Sequence, residues 1–245
     1  NSSLYFEPEA LSDNAYSPSG DLNLIASGNA NAFTGKFLSD WSNYYKTIKS
    51  VNIFLDNIDK NKTLPAATIA RMKAENQFMR AFALFNLSKW YGAVPLVTKD
   101  ISPEEAQTIP RSSKADVDAY VLAQLNEAIP NLPSKNDLPA SENGRITKGA
   151  AQFLLSRVYL TRGWNYNNSL GGTNADFDSA LIYADKVIDT YPLAANYSDL
   201  FPKRSNNPLT QYTGAQNDKN AEIIFAVQYN TDVLTNKTDA AFSPD

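Results

Sequence analysis

Between Trp164 and Asn168 the chain reads Trp-Asn-Tyr-Asn-Asn, and a flat ring beside several amides is the equipment for holding a sugar. A sugar offers apolar C–H faces that stack on an aromatic, and a rim of hydroxyls that donate to and accept from amides. Trp164, Asn165, Tyr166, Asn167 and Asn168 are therefore the first candidate contacts, although the same residues could pack a loop on its own scaffold and cap its turns. Tyr16 and Phe33, in the N-terminal arm with Tyr5 and Phe6, offer further ring faces. Their alternative role is to anchor the arm.

Other chemistries are largely excluded by composition. The 245 residues contain no His and no Cys, which rules out a Ser-His-Asp triad, imidazole or thiolate metal sites, thiol nucleophiles and disulfides. Glycoside hydrolysis on carboxylates needs two acids roughly 5–10 Å apart across a cleft. Glu104 with Glu105, and Asp176 with Asp178, are the only local pairs in loops or helix starts. The first pair lies in a Pro-flanked polar loop, and Asp176 reads as a helix N-cap. Asn174, Asp176 and Asp178 could offer oxygens to Ca²⁺, but no EF-type loop surrounds them. Phosphate-cradling glycine motifs are absent. The expectation is a non-catalytic protein without metal or cofactor. A formal net charge of −4 argues against nucleic acid as a partner.

These residues must be carried by something, and 43% hydrophobic residues suffice for a core. Residues 1–35, punctuated by Pro and Gly, read as an irregular N-terminal arm. Phe37, Trp41, Tyr44, Ile48, Val51, Leu55 and Ile58 then recur at steps of four and three, predicting a helix over 37–59. A second helix runs from Thr63 (N-cap) and Pro65 to Tyr91. It is apolar around most of its girth, so it belongs between neighbours, and Gly92 and Pro95 stop it. Ser113 and Asp116 form a capping box for a third helix with the face Val117, Val121, Leu125 and Ala128. A fourth spans Arg145–Arg162, with Ala150, Ala151, Leu154, Leu155 and Val158 inward. The fifth spans Asp176–Thr190, with Phe177, Ala180, Leu181, Ala184, Val187 and Ile188 facing the core. Trp41 and Trp90 lie on apolar stripes and read as core, Arg80 reads as a buried partner for a carboxylate, and Glu222–Tyr229 reads as a strand. No run approaches the roughly eighteen apolar residues of a membrane-spanning helix.

A repeat lies within this pattern. Placing Tyr159 at the helix A tyrosine of a tetratricopeptide unit puts Gly163 at its turn and Phe177, Ala180, Val187 and Pro192 at helix B positions, with Trp164–Ala175 inserted between the helices. The fold expected is all-α: tetratricopeptide-like hairpins carrying long loops, with a small β or irregular part near the C-terminus.

One stretch, from Asn76 through Arg80-Ala81-Phe82 to Tyr91-Gly92-Ala93-Val94-Pro95-Leu96-Val97, resembles the signature of SusD/RagB-type surface lipoproteins. Trp41 with Tyr44, Ile48 and Asn52, then Lys148-Gly149-Ala150-Ala151 with Tyr159-Leu160, and Glu222-Ile223-Ile224-Phe225 agree in the same order. The resemblance implies a helical scaffold over 36–200, with the start of an irregular C-terminal region over 201–245 that is cut short. It also implies glycan capture at the outer membrane as a lid on a SusC-like TonB-dependent β-barrel transporter, without catalysis. Some relatives take oligopeptides, so a RagB-like peptide lid is the alternative. The lipid-bearing Cys of the family is expected upstream of this chain.

Overall fold

The computed structural model describes residues 20–142, 144–164, 172–196 and 221–226. Among them are seven α-helices: α1 Gly20–Ala26, α2 Gly35–Ile58, α3 Ala66–Tyr91, α4 Pro103–Ala106, α5 Lys114–Ala128, α6 Lys148–Gly163 and α7 Ala175–Ile188. No described residue belongs to a strand; the one β interaction is an isolated antiparallel bridge between Val94 and Ser112. The fold is all-α. Its residues fall into two compact units, one reaching Lys46 and the other Thr47–Val227.

Within the second unit, α3 packs on α5, α5 on α6, and α6 on α7. The residues at the contacts explain why. Val117, Val121, Leu125 and Ala128 of α5 are fully buried, at about 1.5–3 kcal/mol for each large side chain. On α3, Ala74, Phe78, Ala81, Ala83, Leu84, Phe85 and Leu87 are buried around much of the circumference, as expected of a helix lying between neighbours. Ala150 and Ala151 of α6, both buried, allow close helix approach.

Capping follows the sequence in part. Ser113 Oγ accepts from Asp116 N at 3.1 Å and donates to that carboxylate at 2.6 Å. The fully reciprocal box is formed instead by Ser102 and Glu105 at α4. Thr63 is not the cap of α3, whose N-cap is Pro65; Thr63 N donates to Asn61 Oδ1 in a preceding Asx-type turn. Gly92 does end α3, with φ +69° and its N–H on Ser88 O, a backbone conformation that favours glycine.

Other expectations are corrected. The arm read as irregular contains α1, and Leu181 and Ile188 of α7 are exposed: both lie off the stripe that meets α6. Glu222–Ala226 forms no strand. That segment is tied to the helical body by side chains: Lys135 Nζ donates to Ala221 O and Ile223 O, Ala194 N donates to Glu222 Oε2, and the ring of Phe225 meets Phe78 edge-on at 6.0 Å.

Burial holds the phenols of Tyr120, Tyr183 and Tyr191 above their ordinary pKa; for Tyr191 the hydrogen bond with Thr147 partly opposes this. A phenol raised in the folded state contributes stability that is complete below its unfolded pKa of about 10 and lost as pH rises through the folded value. Lys89 and Lys135 are lowered by burial and act in the opposite sense, and Lys135 Nζ lies 4.4 Å from the Tyr191 ring centre. The informative measurement is therefore a difference between two proteins. In urea unfolding from about pH 8 to pH 11, the parent should lose more stability than Tyr191→Phe, and parallel curves would refute the assignment.

Candidate functional site

The α6–α7 hairpin positions the best-placed candidate. Ser156 Oγ donates to Ala180 O at 2.9 Å, and Tyr159 stacks on Tyr183 with ring centres 5.8 Å apart and planes within 7°. At the end of α6 the missing side chain of Gly163 makes room for Phe177: a Cβ there would lie 2.9 Å from two of its ring carbons. Trp164 follows as the C-cap, its N–H on Leu160 O at 3.1 Å. Its ring meets Phe177 edge-to-face at 5.9 Å and 88°, a favourable aromatic geometry. The indole remains 73% exposed, so it is braced at one edge with most of its surface open.

The far end of the insertion is anchored beside the near end. Gly172 abuts the carbonyl of Arg162, where a Cβ would overlap the oxygen. Thr173 N donates to Asp176 Oδ2 at 2.6 Å, and Asp176 faces Arg162 Nε at 3.7 Å. Asp176 is thus not the N-cap of α7, which is Asn174 without a side-chain cap bond. It reaches back from the first turn to hold the loop exit, where its charge also suits the helix dipole.

Of the other candidates, Asn165, Tyr166, Asn167, Asn168 and Tyr16 lie outside the described residues. Phe33 is 96% exposed, beside a turn in which its N–H donates to Asn31 Oδ1 at 2.8 Å. Phe33 and Trp164 belong to different compact units. Glu105 is taken up by the Ser102 capping box. Glu104 is exposed, and hydrogen bonds from its own backbone N–H and from Ser102 hold its carboxyl below the usual range, the reverse of what a general acid needs.

The motif residues around Arg80 have a different role. Arg80 is 6% exposed, and its guanidinium donates to Asn52 Oδ1 at 2.8 Å, to Thr98 O at 2.9 Å and to Gln124 Oε1. Asn52 in turn donates to Val97 O and Lys99 O. The expected carboxylate partner is replaced by neutral acceptors. Asp56 and Glu127 act only at longer range, and burial lowers the pKa of Arg80. Arg80 of the Arg-Ala-aromatic piece therefore centres a polar hub joining α2, α3, α5 and the carbonyls of Val97, Thr98 and Lys99, which directly follow Tyr-Gly-x-x-Pro-Leu.

Reading Trp90 as core missed an exposed aromatic face. Trp90 is 53% exposed, and Lys89 Nζ lies 5.2 Å from its ring centre. Its place on α3 outside the Leu84–Leu87–Ser88 buried face was the available signal.

The second unit thus presents a stack of helices with a braced, exposed indole at the end of one hairpin helix. A family model described as starch-binding associating with outer membrane matches residues 5–160, and the chain belongs to this SusD-like family. It is 31% identical over 174 residues to a SusD-like protein of Bacteroides ovatus, a match covering 68% of this chain and 30% of that protein. A SusD-like carbohydrate-binding protein from Bacteroides fragilis superposes with TM-score 0.76 at 29% identity, over 92% of this chain and 40% of the other. A laminarin-binding SusD-like protein superposes with TM-score 0.62 at 26% identity, over 75% and 36%. This chain therefore spans well under half the length of these relatives. No helix among the described residues is long and apolar enough to cross a membrane.

Proposed function

We propose that the chain is the helical part of a non-catalytic glycan-binding lipoprotein. It captures oligosaccharide at the outer-membrane surface, through a lipid anchor upstream, and passes it to a SusC-like TonB-dependent transporter. Trp164 carries the local part of this reading: a 73% exposed indole held edge-on by Phe177 presents a flat face to a sugar ring, and its Asn-rich continuation supplies amides. The family, and the carbohydrate-binding and laminarin-binding relatives, support the ligand class. The helical hairpin that bears Trp164 is read as a tetratricopeptide-like unit, with Phe177 seated against Gly163 as its turn contact.

A glycan array on the full chain, followed by calorimetry on the strongest hit, tests the proposal. Binding without release of shorter products is expected; shortened chains after incubation would overturn it. Trp164→Ala should weaken binding about fivefold to tenfold, the loss of one stacked ring. Unchanged affinity would remove Trp164 from the site.

A further inference from the structure

Phe153, Arg157, Leu160 and Trp164 follow one another at steps of four, three and four, so α6 and its cap carry them on one helix face. All four are exposed: Phe153 42%, Leu160 45%, Trp164 73%, and Arg157 between them. The Arg157 guanidinium carbon lies 5.9 Å from the Phe153 ring centre, within the range of a cation–π contact. That contact restrains a side chain with many rotamers and fixes the plane of its fork. Among the described residues, no carboxylate pairs with the Arg157 guanidinium and no acceptor takes its hydrogen bonds. Its five N–H donors are therefore held in place without a partner.

The chemistry of the stripe selects what can lie on it. An apolar protein helix would cover the guanidinium and leave a desolvated cation unpaired, at a cost its own contacts would have to offset. A sugar chain presents apolar ring faces to Trp164 and Leu160, and hydroxyl acceptors to Arg157. The spacing fits as well. At about 1.5 Å per residue, Leu160 lies about 6 Å and Arg157 about 10 Å from Trp164 along the axis. An extended pyranose chain advances by roughly one helical turn, about 5 Å, per unit, so a ring stacked on Trp164 sets the next over Leu160 and the third at Arg157.

We propose that this face of α6 is a three-unit track for an extended oligosaccharide. Trp164 stacks the first ring, Leu160 lies under the second, Arg157 donates to the hydroxyls of the third, and Phe153 positions Arg157. The track rests on the glycan-binding reading and adds the chain length that the site selects.

Calorimetry on the full chain with laminari-, cello- and malto-oligosaccharides of two, three and four units tests it, and the strongest hit of the glycan array is taken through the same lengths. In at least one series the affinity should rise about tenfold from two units to three, the worth of a hydrogen bond to a charged donor, and then level off. Arg157→Gln should bind two and three units alike, and Arg157→Lys should not restore the difference, because an ammonium lacks the planar fork. Phe153→Leu keeps apolar bulk without the ring and should lose several-fold on three units. These positions are exposed, and unchanged thermal melts verify the fold. Affinity independent of chain length, or a three-unit gain that survives Arg157→Gln, overturns the track and leaves the glycan-capturing reading standing. Silence from every series and from the array removes both.

Discussion

Replacing Arg80 with Met should lower the stability of the chain by about 3–5 kcal/mol in urea unfolding. Two effects oppose each other. Removing a buried cation abolishes its desolvation cost, which is real here because burial lowers the Arg80 pKa. However, the substitution also strands three acceptors, Asn52 Oδ1, Thr98 O and Gln124 Oε1, at about 1–3 kcal/mol each. The stranded acceptors win because two of them belong to side chains shut off from water: Asn52 is fully buried and Gln124 nearly so. Arg80→Lys keeps the charge but loses the planar fork that reaches three directions, so it should be nearly as damaging as Met. A Met variant within about 1 kcal/mol of the parent would show that the hub tolerates an apolar plug, as some buried ion networks do.

The second large effect comes with an inverted sign. Gly149 lies inside α6, where Gly→Ala ordinarily stabilises by about 1 kcal/mol. Here a Cβ would overlap the Tyr191 ring, falling 2.7 Å from its Cζ. Tyr191 has no easy retreat: it is 5% exposed, its hydroxyl is 2.9 Å from Thr147 Oγ1, and Lys135 lies over its ring. Gly149→Ala should therefore cost about 2–4 kcal/mol, combining overpacking with the lost hydrogen bond. The partner can be identified by a double-mutant cycle. In a Tyr191→Val background the alanine should become neutral or stabilising, giving a coupling of about 2 kcal/mol or more. Additive effects would mean that Gly149 is needed for some reason other than the ring.

These two positions also indicate how far the sequence could be read. Both lie within motif pieces legible by eye, yet neither role was. Arg80 was read as half of an ion pair because a buried arginine usually needs a carboxylate. Its partners are instead two amides and a backbone carbonyl drawn from α2, α5 and the segment after Gly92, separated by 18 to 44 residues. The small-residue run at Gly149–Ala151 was legible as a place of close approach, but not the identity of the Tyr191 ring that fills it.

At the site, Trp164 could be picked out from its neighbours in sequence, because a ring followed by amides is a local pattern. Its bracing by Phe177 across Gly163 follows from the hairpin closing. Trp90 shows the limit most plainly. Periodicity tells which residues share a helix face, but not whether a neighbouring helix covers that face. Trp90 was read inward and is half open, and the same uncertainty applied to Leu181 and Ile188, read inward yet exposed.

What the sequence determined by itself was local: five principal helices, the stripe of α5, the stop at Gly92, and the absence of histidine and thiol chemistry. Each follows from residue type and from interactions within a few positions, where 3.6-residue periodicity, caps and chain breakers act. Tertiary structure alone decided which stripes were covered, which acceptors Arg80 reaches, and that the Tyr191 ring fills the space beside Gly149. Those outcomes depend on which helices become neighbours in space, and the energy of a buried or unpaired group is set by that packing.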